Sequence, residues 1–435
     1  MKFPDLQDRF LRYVKIDTQS DENSESSPST AGQWDLAHTL EHELKDMGLE
    51  DVSVSTYGYV FATLKTNRQG EIPTIALISH LDTSPDVSGS HVHPRIHESY
   101  DGRDILLSQK DQIRLRVEEH PTLKDMIGKT LITTDGNTLL GADDKAGIAE
   151  IMSAIHYLIA NPDIPRPNIR ILFTPDEEVG RGTDNLKIED IGADFGYTID
   201  GGKLGAIEDE TFCADTIEIR IRGVNVHPGY AKGKLVNAVK MASEIVDSFP
   251  KDALSPETTE KREGYLHPHF LSGSVEEAVL KILVRDFEEK SLKEKETFVK
   301  RTVDEISERY PGAKVDFKVM ESYRNMKTVL DLYPEVIEKA EKAVRTAGIE
   351  PVRTLIRGGT DGARLSFMGL PTPNLFTGGA NFHSKYEWIA LEDMEKAAEV
   401  IVHLMGLWAE AGSWRYVSGD LFHSSFSPPV MLAHD

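Results

Sequence analysis

The sequence has very little cysteine, since Cys213 is its only one in 435 residues. A single cysteine excludes an intramolecular disulfide and a cysteine-rich zinc site, and it is typical of a reducing compartment. There is no run of about 20 apolar residues, so no transmembrane helix is expected. The first 20 residues carry charges throughout and lack the apolar core of a secretion signal. We therefore expect a cytoplasmic protein.

Positive charge is also scarce. Lys and Arg together number 49 and Asp and Glu 72, which gives a net charge of −23. So acidic a surface repels nucleic acids and anionic membranes, and neither is an expected partner. The length exceeds that of one typical domain, so two domains with sizeable cores are expected.

Helices and buried strands alternate in the first half of the chain. Apolar residues at helical spacing predict helices over 3–14 and 34–47, whereas short apolar runs predict strands over 52–55, 60–64, 74–79, 169–174 and 195–200. Residues 87–129 interrupt this pattern with turns and short strands. The alternation predicts an α/β layered domain.

The pattern changes at about Phe212. Strands are expected over 216–222, 265–273, 278–287 and 314–319, and helices over 236–249 and 293–310. This β-α-β-β-α-β order is compatible with a small ferredoxin-like insert. The first pattern then returns, with helices over 334–346 and 391–409 around a strand over 374–376. We therefore expect a discontinuous domain, 1–211 and 323–411, an inserted domain, 212–322, and a tail, 412–435, without an assigned role.

The stretch 139–152, LLGADDKAGIAEIM, is central to the functional interpretation. An apolar run breaks at Gly141 and brings Asp143 and Asp144 to the start of a helix, where the backbone amides stabilise negative charge. From Ala146 the apolar residues follow helical spacing, so the helix is anchored on a core. Two interpretations remain open, a metal ligand or an ordinary N-cap.

Other acidic and histidine side chains also follow predicted strands or glycine-rich turns. They are His80 and Asp82 in SHLDT, Glu177 and Glu178 in TPDEEVG, Asp200 in YTID, and His383 after Gly378 and Gly379. In open α/β sheets, ligands collect at the carboxyl ends of the strands. Imidazole and carboxylate donors without thiolate suit zinc or a similar divalent ion, and one carboxylate can bridge two ions about 3.5–4 Å apart.

Three further histidines, His91, His93 and His97, lie in the interrupting segment 87–129. No acidic or thiol partner shares a regular spacing with them. We therefore interpret them as surface-loop residues rather than as a metal site.

A series of motifs identifies a family. In chain order they are HLDTSPDVSG, DGNTLLGADDKAGIAEIM, TPDEEVGRG, IDGG, VNVHPGYAKGKLVNA and RGGTDGARLS. Over about residues 3–411 the chain resembles the M20 family of co-catalytic zinc metallopeptidases. The segment 87–129, which includes YDGRDILLS, resembles the tripeptide aminopeptidase branch. The resemblance implies a zinc-peptidase α/β/α catalytic domain interrupted by a smaller ferredoxin-like α+β lid and dimerisation domain.

The resemblance also implies a set of ligands for two zinc ions per subunit. His80 and Asp200 would bind one ion, and Glu178 and His383 would bind the other. Asp143 would bridge both ions.

Further roles follow from the same resemblance. Asp82 would orient the His80 imidazole through its second nitrogen, and Glu177 would be the general base. In this family the peptide bond after the bridging aspartate is typically cis, which gives Asp144 a conformational role.

The inserted domain would supply substrate-binding residues. His227 resembles the histidine that stabilises the tetrahedral oxyanion. Arg285 matches an arginine that receives the terminal carboxylate of the substrate, and Asn237 is a further candidate.

These implications define an expected function. The chain would be a dizinc aminopeptidase that hydrolyses the N-terminal peptide bond of short peptides, tripeptides by preference, with a metal-activated water and Glu177 as general base. A homodimer through the lid domain is possible. The alternatives are a related dipeptidase or N-acyl amino acid deacylase, or a metal-binding or peptide-binding protein without catalysis.

Overall fold

A computed structural model describes residues 1–410 of the chain. The tail, 412–435, lies outside the described residues. The chain forms two compact units. Unit 1 contains Met1–Asp209, Met326–Thr354 and the described residues from Thr360 on, whereas unit 2 contains Glu210–Asn325 and Leu355–Gly359. The assignment of a catalytic and a lid domain stays a prediction.

The described residues form ten α-helices and eighteen β-strands. The helices are α1 (Leu6–Tyr13), α2 (Ala31–Asp46), α3 (Ala142–Ala160), α4 (Ile188–Ile191), α5 (Ala238–Asp247), α6 (Glu289–Ser307), α7 (Lys327–Leu330), α8 (Pro334–Thr346), α9 (Asp361–Met368) and α10 (Leu391–Trp408). The strands are β1 (Glu50–Val54), β2 (Val60–Leu64), β3 (Ile75–His80), β4 (Arg95–His97), β5 (Ile105–Ser108), β6 (Ile113–Leu115), β7 (Leu131–Thr133), β8 (Ile169–Thr174), β9 (Phe195–Gly201), β10 (Ala206–Thr211), β11 (Cys213–Arg222), β12 (Tyr265–Gly273), β13 (Glu277–Asp286), β14 (Lys314–Tyr323), β15 (Val352–Ile356), β16 (Asn374–Phe376), β17 (Gly379–Ala380) and β18 (Trp388–Ala390).

An eight-stranded sheet with the order β1-β2-β8-β3-β9-β16-β10-β15 organises unit 1. The neighbours β8, β3, β9 and β16 run parallel, whereas β1, β2 and β10 pair antiparallel. Strand β3 is buried throughout and β8 is buried except at Arg170, which explains their apolar runs. Since parallel strands end at the same edge, the segments that follow β8, β3, β9 and β16 meet there.

Helix α3 packs closely against this sheet. A Cβ atom on Gly147 would lie 1.9 Å from the carbonyl oxygen of Ile199 in β9, so only glycine permits this approach. At the start of the helix Gly141 has a left-handed backbone, with φ of 83°. The predicted helix thus packs against β9 at Ile199, the residue that precedes Asp200.

The segment 87–129 forms β4, which pairs with β7, and a hairpin of β5 and β6. A small apolar cluster that includes Leu107, Leu123 and Trp388 holds it on unit 1. His91 and His93 are exposed, whereas His97 is partly buried and its Nε2 lies 3.0 Å from Thr133 Oγ1. Within residues 1–410, the candidate metal groups include none of the three histidines.

Unit 2 contains a four-stranded antiparallel sheet with the order β12-β13-β11-β14. Helices α5 and α6 pack on it through one apolar cluster, in which Ile217, Ile219 and Ile221 of β11 are buried as their alternation predicts. Cys213 is buried and forms no disulfide. The strand-helix-strand-strand-helix-strand order confirms the predicted ferredoxin-like α+β fold, and the two units together confirm the α/β class.

No helix within residues 1–410 is long and apolar enough to cross a membrane.

Candidate metal centre

The carboxyl edge of the parallel strands brings the predicted ligands together. His80 is the last residue of β3, and Glu178 lies in a 3-10 turn just after β8. Asp200 lies near the end of β9, and Asp143 lies at the start of α3. His383 follows β17, a short strand beyond β16. All five side chains belong to unit 1.

Asp143 lies between the two histidines. Its Oδ1 is 2.9 Å from His80 Nε2, and its Oδ2 is 3.2 Å from His383 Nε2. His80 Nε2 is also 3.5 Å from Asp200 Oδ1, and His383 Nε2 is 2.9 Å from Glu178 Oε2. The five residues therefore form two groups of one imidazole and one carboxylate, with Asp143 shared between them.

This donor set fits divalent metal ions. Atoms of His80, Asp143 and Glu178 lie within 4.8 Å of one another, as do atoms of His80, Asp144 and Asp200. Glu178 Oε1 is buried and has no hydrogen-bond partner among the described residues, which is costly unless a cation binds it. Imidazole and carboxylate donors suit zinc and similar ions. The five side chains would therefore be able to hold two divalent ions, with Asp143 as a ligand of both.

Electrostatics at the centre also favour a bound cation. Burial raises the pKa of Glu178 to about 8 and that of Asp200 to about 7. Hydrogen bonds to Asp143 and Glu178 raise the pKa of His383 to about 11. Burial opposes ionisation of Asp143, but hydrogen bonds from His383 and His80 lower its pKa below the ordinary range. In the absence of metal, protons must supply the positive charge that this cluster of carboxylates needs.

Asp82 is fully buried and joins two of the segments at this edge. Its Oδ1 accepts a hydrogen bond from the Glu177 amide at 2.9 Å, and its Oδ2 accepts one from the Glu178 amide at 3.1 Å. Its backbone oxygen is 3.0 Å from His80 Nδ1, the nitrogen that faces away from Asp143. Asp82 is thus beside the second nitrogen of His80 and also holds the turn that carries Glu177.

Asp144 does not serve as a simple helix cap. Its Oδ2 accepts a hydrogen bond from the His80 amide at 3.1 Å and another from the Ser79 hydroxyl. Asp143 and Asp144 have non-helical backbone angles, the peptide bond between them is cis, and Asp144 Oδ1 accepts no hydrogen bond from the described residues of the helix. Asp143 therefore faces His80 and His383, and Asp144 accepts hydrogen bonds from Ser79 and His80.

Sequence reasoning missed several residues that hold these segments. Asp361 Oδ2 accepts a hydrogen bond from the Thr174 hydroxyl at 2.7 Å, where β8 ends. Asp86 Oδ2 lies 3.3 Å from His383 Nδ1. Glu387 accepts hydrogen bonds from the amides of Leu140, Gly141 and Asp143. Asp361 and Asp86 lie inside the quoted motifs RGGTDGARLS and HLDTSPDVSG, which was the available signal.

The three predicted substrate-binding residues lie in unit 2. His227 Nδ1 accepts a hydrogen bond from the Gly229 amide at 3.1 Å, and the Asn237 side chain caps α5 by accepting one from the Lys240 amide at 3.1 Å. Both contacts are local turn or cap interactions.

Arg285, on β13, is held by backbone carbonyl groups. Its NH1 donates to the oxygens of Asp215 and Val284 at 3.1 and 3.0 Å, and its guanidinium lies over the Tyr323 ring. These contacts fix its orientation within unit 2.

Known proteins resemble the chain in sequence and in fold. The profile described as Peptidase family M20/M25/M40 matches residues 133–406. A protein named Peptidase T from Caldanaerobacter subterraneus subsp. tengcongensis is 50% identical over 405 residues, which cover 93% of this chain and 99% of that protein.

Two solved structures share the fold. The aminopeptidase PepT from Bacillus cereus has a TM-score of 0.73 and 24% identity, and the match covers 94% of this chain and 100% of that chain. A tripeptidase from Staphylococcus aureus has a TM-score of 0.74 and 22% identity, and the match covers 94% and 99% of the two chains. Sequence and fold thus agree with the resemblance of the motifs, and the chain belongs to peptidase family M20/M25/M40.

Proposed function

We propose that this chain is a cytoplasmic, zinc-dependent aminopeptidase that removes the N-terminal residue of short peptides and prefers tripeptides. The observation that carries the proposal is the position of Asp143, whose two carboxylate oxygens face His80 and His383, each beside a further carboxylate. The relative named Peptidase T, at 50% identity along almost its whole length, supports this activity.

His80 and Asp200 would hold one ion, Glu178 and His383 the other, and Asp143 both. Divalent ions in such a site lower the pKa of water toward about 7 and polarise the carbonyl group under attack. The absence of thiolate donors is compatible with Zn²⁺ and with other divalent ions, so the metal requires a direct measurement.

Glu177 would move the proton. Burial raises its pKa well above the ordinary value, which favours a carboxylate that accepts a proton from water and then gives it to the leaving amine. Asp82 orients Glu177 through its backbone amide, so the carboxylate belongs to a fixed turn. Neither Asp82 nor Glu177 is needed as a metal ligand in this scheme.

Residues of unit 2 would bind the substrate. Because His227 Nδ1 accepts the Gly229 amide, the neutral imidazole carries its proton on Nε2, which could donate to an oxyanion. Arg285 would bind the terminal carboxylate of the substrate and would thereby select peptides by their length.

The first test is hydrolysis of matched di-, tri- and tetrapeptides with free or acetylated amines. We expect fast cleavage of free tripeptides, loss of activity with a chelator and recovery with Zn²⁺. Preferential cleavage of acetylated substrates would assign a deacylase instead. An absence of cleavage with every substrate and metal would favour a binding protein without catalysis.

A second test separates catalysis from metal binding. Glu177→Gln should lower kcat by about 10²–10⁴-fold, because the proton acceptor is lost, while the zinc content stays at that of the unchanged protein. Metal analysis and steady-state kinetics on the same preparation measure both quantities. Equal turnover in the variant would contradict the role of Glu177.

The length preference is tested at Arg285. Arg285→Ala should remove the preference for tripeptides over dipeptides and tetrapeptides, whereas Arg222→Ala, an exposed arginine at the end of the neighbouring strand β11, should keep it. An unchanged preference in Arg285→Ala would contradict the proposal that Arg285 selects peptide length.

We also propose a homodimer that forms through unit 2. The outer strands of its sheet carry exposed apolar side chains, Leu271 on β12 and Met320 on β14. Sedimentation velocity should show a dimer that Leu271→Lys or Met320→Lys dissociates, whereas Val352→Lys in unit 1 should not. A monomer at all concentrations would contradict the proposal.

A further inference from the structure

Glu387 connects two segments of the metal centre that are far apart in the sequence. It lies four residues after His383, and it is 1% exposed. Its Oε2 accepts hydrogen bonds from the amides of Leu140 and Gly141 at 2.6 and 2.9 Å, and its Oε1 accepts one from the amide of Asp143 at 3.2 Å. The same short segment therefore carries one ligand, His383, and binds the backbone of another.

The shape of the 140–143 segment explains why a carboxylate fits there. Gly141 adopts a left-handed conformation, with φ of 83°, and such a turn directs successive amides toward one side, where they form an anion-binding concavity. Hydrogen bonds to an ionised acceptor are about twice as strong as neutral ones. Both carboxylate oxygens of Glu387 accept hydrogen bonds from this turn, so the carboxylate fixes the orientation of the turn.

We propose that Glu387 is a positioning residue that fixes the bridging Asp143 relative to His383. This inference rests on the proposed metal-dependent function. Asp82 and Asp144 hold the His80 and Glu178 segments in a similar way, through backbone amides. Glu387 completes the arrangement by joining the segments of Asp143 and His383, the two ligands whose separation sets how a second ion is bound.

The test is zinc release from the full-length, zinc-loaded protein. Glu387→Gln preserves the size of the side chain but turns an amide NH2 group toward a backbone N–H donor. We expect a competing chelator to remove zinc at about 10–100-fold lower concentration than from the unchanged protein. The expected kinetic signature is a fall in kcat at saturating zinc with little change in KM, since Glu387 is buried and both its oxygens bind backbone amides.

Glu392→Gln is the matched control. Both oxygens of Glu392 accept a hydrogen bond from the amide of Thr130, at 3.0 and 2.9 Å. Glu392 is therefore also a carboxylate that binds a backbone amide, but Thr130 does not belong to a segment that carries a proposed metal ligand. Its zinc release should match that of the unchanged protein. Circular dichroism at saturating zinc should show the same fold in both variants.

One of the other outcomes would overturn the proposal. If Glu387→Gln releases zinc as the unchanged protein does, Glu387 does not position Asp143. If Glu387→Gln fails to fold, Glu387→Asp, which keeps both oxygens but withdraws them by one methylene, decides by the same titration. If the unchanged protein binds no divalent ion at all, the proposed function fails instead, and this result is independent of Glu387.

Discussion

Buried carboxylates that accept hydrogen bonds from backbone amides recur at the candidate metal centre. Asp82 binds the amides of Glu177 and Glu178, and Asp144 binds the amide of His80. A buried N–H group that loses its acceptor costs about 1–3 kcal/mol. Each carboxylate therefore fixes the backbone of a segment that carries a predicted site residue.

Asp82→Asn tests this arrangement at a single residue. The amide NH2 group would oppose the N–H of Glu177 or Glu178, so the turn would shift. We expect kcat/KM to fall by about 10–100-fold, the usual effect of disturbing residues that orient metal ligands. Steady-state kinetics with a tripeptide, at saturating zinc, measures the change.

Asp194→Asn provides the control for Asp82. Asp194 Oδ2 accepts the amide of Thr74 at 2.7 Å, just before β3 begins and at the opposite end of that strand from His80. The control variant should lose stability without losing kcat/KM. Equal losses of kcat/KM in both variants would show that the effect of Asp82 is only structural.

The residues of the site were predictable from the sequence where each follows an apolar strand. His80, Glu178 and Asp200 meet this condition, because parallel strands end at one edge. Glu387 does not, since its partners lie about 245 residues earlier and no local pattern marks it. Its function depends on contacts that only the folded chain creates.

At the scale of elements, strand β10 illustrates a limit of sequence patterns. Its sequence, AIEDET, contains consecutive acidic residues that are unfavourable in strands. In the fold, Glu208 accepts a hydrogen bond from Asn374 of β16 at 2.6 Å, and Asp209 forms an ion pair with Arg353 of β15. Partners from other strands thus compensate the acidic charge of β10, and no local sequence pattern shows these partners. Strand β8, with its apolar run, was predicted with its observed bounds.

The packing of α3 on β9 leads to a prediction for Gly147→Ala. The new methyl group would overlap the Ile199 carbonyl oxygen, which lies 1.9 Å from the ideal Cβ position, so helix and strand must separate. We expect a loss of about 1–3 kcal/mol in the free energy of unfolding. Urea denaturation measures it.

Gly406→Ala is the matched helical control. Gly406 lies inside α10, and its nearest neighbour, the Pro165 oxygen, would be 3.9 Å from the new Cβ. Alanine should stabilise this helix by about 0.5–1 kcal/mol. A stable Gly147→Ala protein would contradict the close packing of α3 on β9.

Helix α5 allows its capping to be separated from substrate binding. Asn237→Asp retains an oxygen for the Lys240 amide but loses the side-chain NH2 group, whereas Asn237→Ala loses both. We expect Ala alone to cost about 1 kcal/mol of stability and both variants to raise KM. Thermal unfolding and tripeptide kinetics measure the two effects. An unchanged KM in Asn237→Asp would show that Asn237 caps α5 and does not bind the substrate.

At the scale of the whole molecule, metal binding, protonation and stability are linked. In the metal-free protein burial raises the pKa of Glu178 to about 8 and of Asp200 to about 7, and hydrogen bonds raise that of His383 to about 11. All three groups hold their protons more tightly in the folded chain than in the unfolded chain. Their contribution to stability is complete at a pH below their pKa values in the unfolded chain, and it is lost as the pH rises through their pKa values in the folded chain.

Under the proposed function, zinc would reverse this dependence, because a metal binds deprotonated ligands and its affinity therefore rises with pH. We expect the difference in Tm between zinc-loaded and chelator-treated protein to increase from about pH 6 to about pH 8, since the metal-free state weakens while zinc binding strengthens. Differential scanning fluorimetry at constant ionic strength measures this difference. Glu178→Gln, which removes one titrating ligand, should reduce the increase. A difference that shrinks toward pH 8 would show that protons and zinc do not compete for these residues.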